Sequence, residues 1–217
     1  MNQSRIAFVG YGAFGKQLEQ LLIETKSPYK DCDKLYFDDY AYADHISEAR
    51  PFSEYMNPKY NDCLFIVALG YLHLARKDQI IRELKMNGRQ LLSIIHPSAI
   101  ISPCARIEEG VIIYSGCIVD MNVIIRSGCI LYNGSTVAHD TELETSCFLA
   151  PRVTIAGCTH VKSRTFLGVG TCVANALTIG QDCQIGAGSL VQKSLPDSTS
   201  GIGNPLHLLN KKKLTIK

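Results

Sequence analysis

No Cys-x-x-Cys pair occurs among the nine cysteines, no apolar run reaches the length of a membrane span, and neither sign of charge predominates. Each absence excludes a class. A chain of 217 residues is long enough to bury its own core, so a disulfide scaffold is not needed and free thiols are expected. The apolar stretches are short and broken by polar residues, and Met1-Asn2-Gln3-Ser4-Arg5 carries no apolar signal core. A soluble, cytoplasmic protein with no membrane partner is therefore expected. Twenty-two Lys and Arg against 20 Asp and Glu leave a net charge of +2. With charge so nearly balanced and Lys211-Lys212-Lys213 the one dense basic run, nucleic acid is not expected as a general partner, although that run could approach an anionic cofactor.

What is present divides into two halves with different periods. Residues 5–95 alternate between strand and helix patterns, with strands at 5–9, 34–37, 63–69 and 91–95, helices at 14–25 and 72–86, and a loop-rich gap between 38 and 62. That order predicts a small Rossmann-like α/β domain with a parallel sheet over residues 1–94. From Ile95 onward an Ile, Leu or Val recurs at every sixth residue through Val191, seventeen positions without a failure. These three types make up about a quarter of the chain, so chance would give such a run with a probability of order 10⁻¹⁰. Four residues after each aliphatic comes a second regular position, mostly small, as at Cys117, Cys129, Ser135, Cys147, Thr159 and Cys183. One branched and one small residue per six make a short flat strand and a tight corner, and three such units close an 18-residue triangular coil. A parallel β-helix is predicted over residues 95–195, with its open end capped by a tail over 196–217. The cysteines at the small position read as compact core residues.

Three constellations could carry chemistry. Gly10-Tyr11-Gly12-Ala13-Phe14-Gly15 follows a strand and opens a helix, a context in which backbone can approach a phosphate. Asp38 and Asp39 end the next strand, where an acidic side chain commonly meets a ribose or base edge, the alternative being a tight turn with a solvated Asp pair. With only about 90 residues before the repeat, a nicotinamide dehydrogenase has no room for its second half. The third is His139-Asp140, two residues past Val137 at a corner, with Gly157 one 18-residue circuit above. A base and a possible N–H donor for an oxyanion thus stack on one edge. Cys158 sits beside Gly157, but the stacking map places nothing cationic or histidine-like next to it, so no nucleophilic role is expected.

On the Gly-rich turn, Asp38-Asp39, Leu69-Gly70, the junction Ile95-His96-Pro97-Ser98-Ala99 and His139-Asp140, the chain resembles the two-domain hexapeptide-repeat sugar acetyltransferases over residues 5–205. These include the bacillosamine-pathway nucleotide-sugar N-acetyltransferase and sialic acid O-acetyltransferase types. The resemblance implies that the β-helix is left-handed, against the usual crossover rule. It also implies a homotrimer, acetyl-CoA as cosubstrate, and no metal. Gly12, Ala13 and Phe14 would lie near the phosphates or sugar of a nucleotide-sugar, Asp38 and Asp39 toward the nucleoside, and Gly70 in the pocket lining. The acetyl-CoA groove would run between neighbouring β-helices past Val169 and Ala187. His139 would be the catalytic base, Asp140 its partner and Gly157 the oxyanion donor. Many members carry a second histidine nine residues after the first. That position is Phe148 here and is assigned with the acetyl-CoA site. Phe14 likewise replaces a common histidine, and the closing Gly-x-Pro-Ala appears as Gly203-Asn204-Pro205-Leu206.

The implied activity is transfer of acetyl from acetyl-CoA to the amino group of a nucleotide-linked deoxyamino sugar for surface polysaccharide or glycan synthesis. The nucleotide, uridine, thymidine or guanosine diphosphate, is left open. The rivals are O-acetylation of a sialic-type sugar, a trimeric β-helical carbonic anhydrase and a non-catalytic nucleotide-sugar scaffold. The carbonic anhydrase reading lacks paired histidines, since His139 and His160 fall at different corner phases.

Overall fold

A computed structural model describes residues 5–209 of a chain that divides into two compact units, Met1–Ile94 and Ile95–Lys217. In the first unit five parallel strands stand in the order β3-β2-β1-β4-β5. They are β1 (Arg5–Val9), β2 (Lys34–Phe37), β3 (Ala49–Arg50), β4 (Cys63–Val67) and β5 (Gln90–Leu91). Ile6, Ala7 and Phe8 are wholly buried, as a continuous apolar run requires when both faces of a parallel strand are covered. Helix α1 (Ala13–Glu24) buries Gly15, Leu18, Leu21 and Leu22, a stripe at spacings of three, three and one. Helix α3 (Leu74–Met86) buries Ile80, Ile81 and Leu84 in the same way.

The gap between 38 and 62 is not a loop. It holds helix α2 (Asp39–Ala43), strand β3 and two 3₁₀ turns, Phe52–Met56 and Pro58–Tyr60. Elements of two to five residues are too short for periodicity to register, and buried aromatics fix them: Phe52 stacks on Tyr55 at 4.7 Å and Tyr60 meets Phe37 edge-on at 5.2 Å. The strand expected at 91–95 is two strands, Gln90–Leu91 in this sheet and Ile94–Ile95 at the start of the repeat.

The second unit is a parallel β-helix. Seventeen two-residue strands run from Ile94–Ile95 to Leu190–Val191, and the second residue of each is the repeating aliphatic. Register confirms the 18-residue circuit, with Ile118 paired to Thr136, Thr136 to Thr154 and Thr154 to Cys172. The rungs form three parallel sheets of six, five and six strands around a core of stacked aliphatics, most of them fully buried, and two strands past the last rung extend the third sheet to eight.

Two further rules emerge at the corners and inside. Every sixth residue from Gly110 to Gly188 has a positive φ, between 55° and 75°, and eight of these fourteen are not glycine. Asp140 and Cys158 are among the eight, each held in a backbone state that costs an L-residue about 1–2 kcal/mol. Inside the coil, the small residues do more than fill space. Ser135 donates to the carbonyl of Ala150, Thr165 to Gly180, Thr171 to Gly186, Cys117 to Tyr132 and Cys147 to Lys162. Each bond reaches fifteen residues on and satisfies a corner carbonyl of the rising coil. All nine cysteines are free thiols, and burial pushes the Cys117, Cys147 and Cys183 thiols upward.

Past the last rung, Ser200–Ile202 pairs in parallel with Gln184–Ile185, and His207–Leu208 turns back antiparallel on it. The chain thus covers one open strand edge with a hairpin. Lys211, Lys212 and Lys213 lie outside the described residues. Among the described residues no helix is long and apolar enough to cross a membrane.

Candidate active site

His139 and Gly157 follow the strands Thr136–Val137 and Thr154–Ile155, which pair directly, so one corner carries both. The imidazole lies flat against the glycine: a Cβ built on Gly157 would stand 2.6 Å from Cε1 and Nε2 of His139 and 3.1 Å from Cδ2. The Gly157 carbonyl accepts from the Ala176 N–H at 3.0 Å, while the Gly157 N–H donates to no group among the described residues. Nδ1 of His139 lies 2.8 Å from Oδ2 of Asp140. An ionised carboxylate can only accept, so the shared proton sits on Nδ1, and in the neutral ring Nε2 keeps its lone pair as a base. The ring is half exposed, which leaves that lone pair within reach of a substrate.

Asp140 is itself held. Asn122, one circuit below at the same corner phase, donates its amide to Oδ1 at 3.0 Å. This bond first, and the His139 contact second, keep the Asp140 carboxyl below the usual aspartate range. The ionised form therefore persists to lower pH in the folded chain. Its support is full above the ordinary aspartate range and is lost only as pH falls through the depressed value. An NMR titration should place the Asp140 midpoint below that of free aspartate and move it upward in Asn122→Ala. An unchanged midpoint would remove Asn122 from the site.

Cys158 requires a correction. It stands one circuit above Asp140, and its sulfur, a ring nitrogen of His139 and a carboxylate oxygen of Asp140 all lie within 4.8 Å of one another. A histidine does lie beside it. The 18-residue step sets Cys158 over Asp140, and the carboxylate holds His139 alongside. His160, by contrast, sits in a strand with Nε2 at 2.8 Å from Glu144, so it does not join His139.

Phe148 also departs from expectation. Its ring is 5% exposed and lies in a ladder with Tyr132 at 5.4 Å and Phe166 at 5.8 Å, so it packs where a ligand contact was expected. Val169 and Ala187 are exposed and stacked, with Gly188 N–H bonded to the Val169 carbonyl at 2.7 Å. They follow strands of the eight-stranded sheet, whereas His139 and Gly157 follow the six-stranded one. A single chain therefore carries the two groups on different edges.

In the first unit, Gly12 opens α1 and Gly70 opens the 3₁₀ turn Tyr71–His73, each just past the carboxyl end of one of two adjacent strands, β1 and β4. The sheet order reverses direction between these strands, the place where open α/β sheets bind ligands. The three glycines have distinct reasons. A Cβ at Gly10, where φ is +111°, would meet the Ala68 carbonyl at 2.9 Å, and one at Gly15 would meet the Gly10 carbonyl at 2.9 Å. Gly12 faces open space, with Ala13 exposed and Phe14 half-buried beside it.

Asp38 is occupied structurally. Its carboxylate accepts from Tyr40 N–H and Ala41 N–H, capping α2, and from Tyr11 N–H at 2.9 Å, which ties the Gly-rich turn to the end of β2. With three bonds accepted, it positions the turn and has little capacity left for a nucleoside. Asp39 accepts from Phe52 N–H at 2.8 Å. Both line a cleft of about 100 Å³ with Gly10, Leu69, Tyr40 and Arg76. Tyr40 and Arg76 carried no motif and were not read from the sequence.

No family model matches the sequence. Among solved structures, PerB from Caulobacter crescentus in complex with CoA and GDP-perosamine is 28% identical, with 95% of this chain and 97% of that chain covered and a TM-score of 0.83. The acetyltransferase domain of PglB from Neisseria gonorrhoeae in complex with acetyl coenzyme A is 23% identical, covering 96% of this chain and 100% of that one, with a TM-score of 0.82. WeeI from Acinetobacter baumannii is 21% identical, covering 94% and 99%, with a TM-score of 0.80. The likeness spans both units, and the coil is a left-handed parallel β-helix.

Proposed function

From the premise that this chain is a member of the two-domain hexapeptide-repeat sugar acetyltransferases, we propose that it transfers acetyl from acetyl-CoA to the amino group of a nucleotide-linked deoxyamino sugar. The carrying observation is a base with a free Nε2, oriented through Nδ1 by Asp140 and laid over Gly157. It occurs in a chain similar along its length to a protein solved with CoA and GDP-perosamine.

The chemistry follows from the geometry. Nε2 of His139 takes a proton from the sugar amine as its nitrogen attacks the thioester carbonyl. Asp140 holds the ring through Nδ1 and stabilises the imidazolium that forms. Gly157 N–H, which has no partner among the described residues, receives the carbonyl oxygen as it becomes an oxyanion. The intermediate collapses by breaking the C–S bond, and His139 returns its proton to the departing thiolate, leaving the amide and CoA thiol. Gly12, Ala13, Phe14 and Gly70 form the turns that receive the nucleotide-sugar, Asp39 lies in its cleft, and Asp38 fixes the turn. Val169 and Ala187 form an exposed edge suited to the pantetheine arm. Because that edge and His139 are on different edges of one coil, the complete site calls for a second copy, in keeping with a homotrimer. The setting is cytoplasmic synthesis of a surface glycan.

Incubation with acetyl-CoA and a panel of GDP-, UDP- and dTDP-linked sugars, amino and hydroxy forms side by side, should yield a 42-dalton gain, about one acetyl for hydrogen, only on an amino sugar. A gain on the hydroxy forms alone would assign an O-acetyltransferase. Ligand binding with no gain on any sugar would leave a scaffold.

A further inference from the structure

Asp140 and Cys158 occupy the same corner phase on successive circuits, both with φ near 57°, so their side chains leave the coil at one place. Their backbones are clamped: Cys158 N–H bonds the His139 carbonyl at 2.9 Å and Asp140 N–H bonds the Met121 carbonyl at 3.0 Å. We propose that His139, Asp140 and Cys158 form a binding site for a thiophilic divalent cation, Zn(II) above all, whose occupancy blocks acetyl transfer.

The donor set is one imidazole nitrogen, one carboxylate oxygen and one sulfur, all exposed and within 4.8 Å of one another. Among the described residues no other three metal-ligating side chains approach so closely. A tetrahedral Zn(II) with bonds of about 2.0–2.3 Å needs its ligand atoms about 3.3–3.6 Å apart, a separation that small side-chain rotations would reach from here. The mixture suits a borderline-soft ion. Mg(II) and Ca(II), which need oxygen shells, find one carboxylate. Three protein ligands leave a fourth position to water.

On binding, Cys158 releases its thiol proton to solvent as the S–Zn bond forms, while His139 and Asp140 supply lone pairs, with no change of oxidation state. If Nε2 is the ligand, the base is consumed. If Nδ1 is the ligand, its bond to Asp140 is broken. Either way the imidazole no longer removes a proton. This consequence rests on the acetyl-transfer reading, whereas binding itself does not.

The test uses the full chain without an affinity tag. Co(II), a spectroscopic stand-in for Zn(II), should bind once per chain with a thiolate-to-metal absorption band. In Cys158→Ser and Cys158→Ala the band should vanish and Zn(II) affinity, measured against a chromophoric chelator, should fall at least ~100-fold. Acetylated product should decline as free Zn(II) rises and recover on chelation, with the half-inhibiting concentration shifted by a similar factor in the variants. A Co(II) band unchanged in both variants would move the metal to Cys104 or Cys172, the other exposed thiols, and overturn the proposal. Absence of binding at micromolar metal would overturn it as well. The Co(II) spectrum needs no substrate, so it reads the site even if the transferred group proves different.

Discussion

Replacing His139 by alanine is expected to lower acetyl transfer by about 10²–10⁴-fold, the usual worth of a positioned general base. The ring is half exposed and its side-chain contacts are Asp140 and the face of Gly157, so no core packing goes with it. Thermal unfolding should therefore stay close to that of the parent. CoA thiol release followed alongside acetylated product separates lost chemistry from a lost assay. Near-normal turnover in this variant would leave the corner without a role.

Gly157→Ala should be almost as damaging for a different reason. The backbone of Gly157 is not in the left-handed region, so alanine suits its φ and ψ. The obstacle is the imidazole, two of whose atoms lie 2.6 Å from the new methyl. Carbon atoms do not approach so closely, and the ring must swing off the corner and strain its 2.8 Å bond to Asp140. Misplacing a catalytic group by an ångström costs on the order of 10²-fold, chiefly in kcat. If the two residues act as one unit, the double variant should be no slower than His139→Ala alone. Additive losses would show that the glycine works independently of the base.

Much of this was legible because the repeat is arithmetic. All seventeen aliphatic positions became the second residue of a strand, and the step of 18 that joined His139 to Gly157 is the register of the sheets. The same step from Asp140 reaches Asn122 below and Cys158 above, so both positions are legible in the sequence, whereas the side-chain reach that joins them to His139 and Asp140 is not. The inward hydroxyls and thiols were legible as small but not as donors. Their partners sit fifteen residues on, across the corner, a spacing that composition does not reveal. Asp38 looked like a ribose ligand because position along the chain cannot show that Tyr11, Tyr40 and Ala41 already claim its oxygens. Phe148 was assigned by analogy, and only stacking against Tyr132 and Phe166 discloses its burial.

The coil and the chemistry keep different clocks. Core packing repeats every six residues, whereas rungs align every 18, as in the pairing of Val137 with Ile155. An insertion of six or 12 residues between His139 and Gly157 would thus conserve every buried aliphatic while carrying the two to separate faces. Only length changes in whole circuits preserve both fold and chemistry, so this protein can lose its activity by indel without losing its shape.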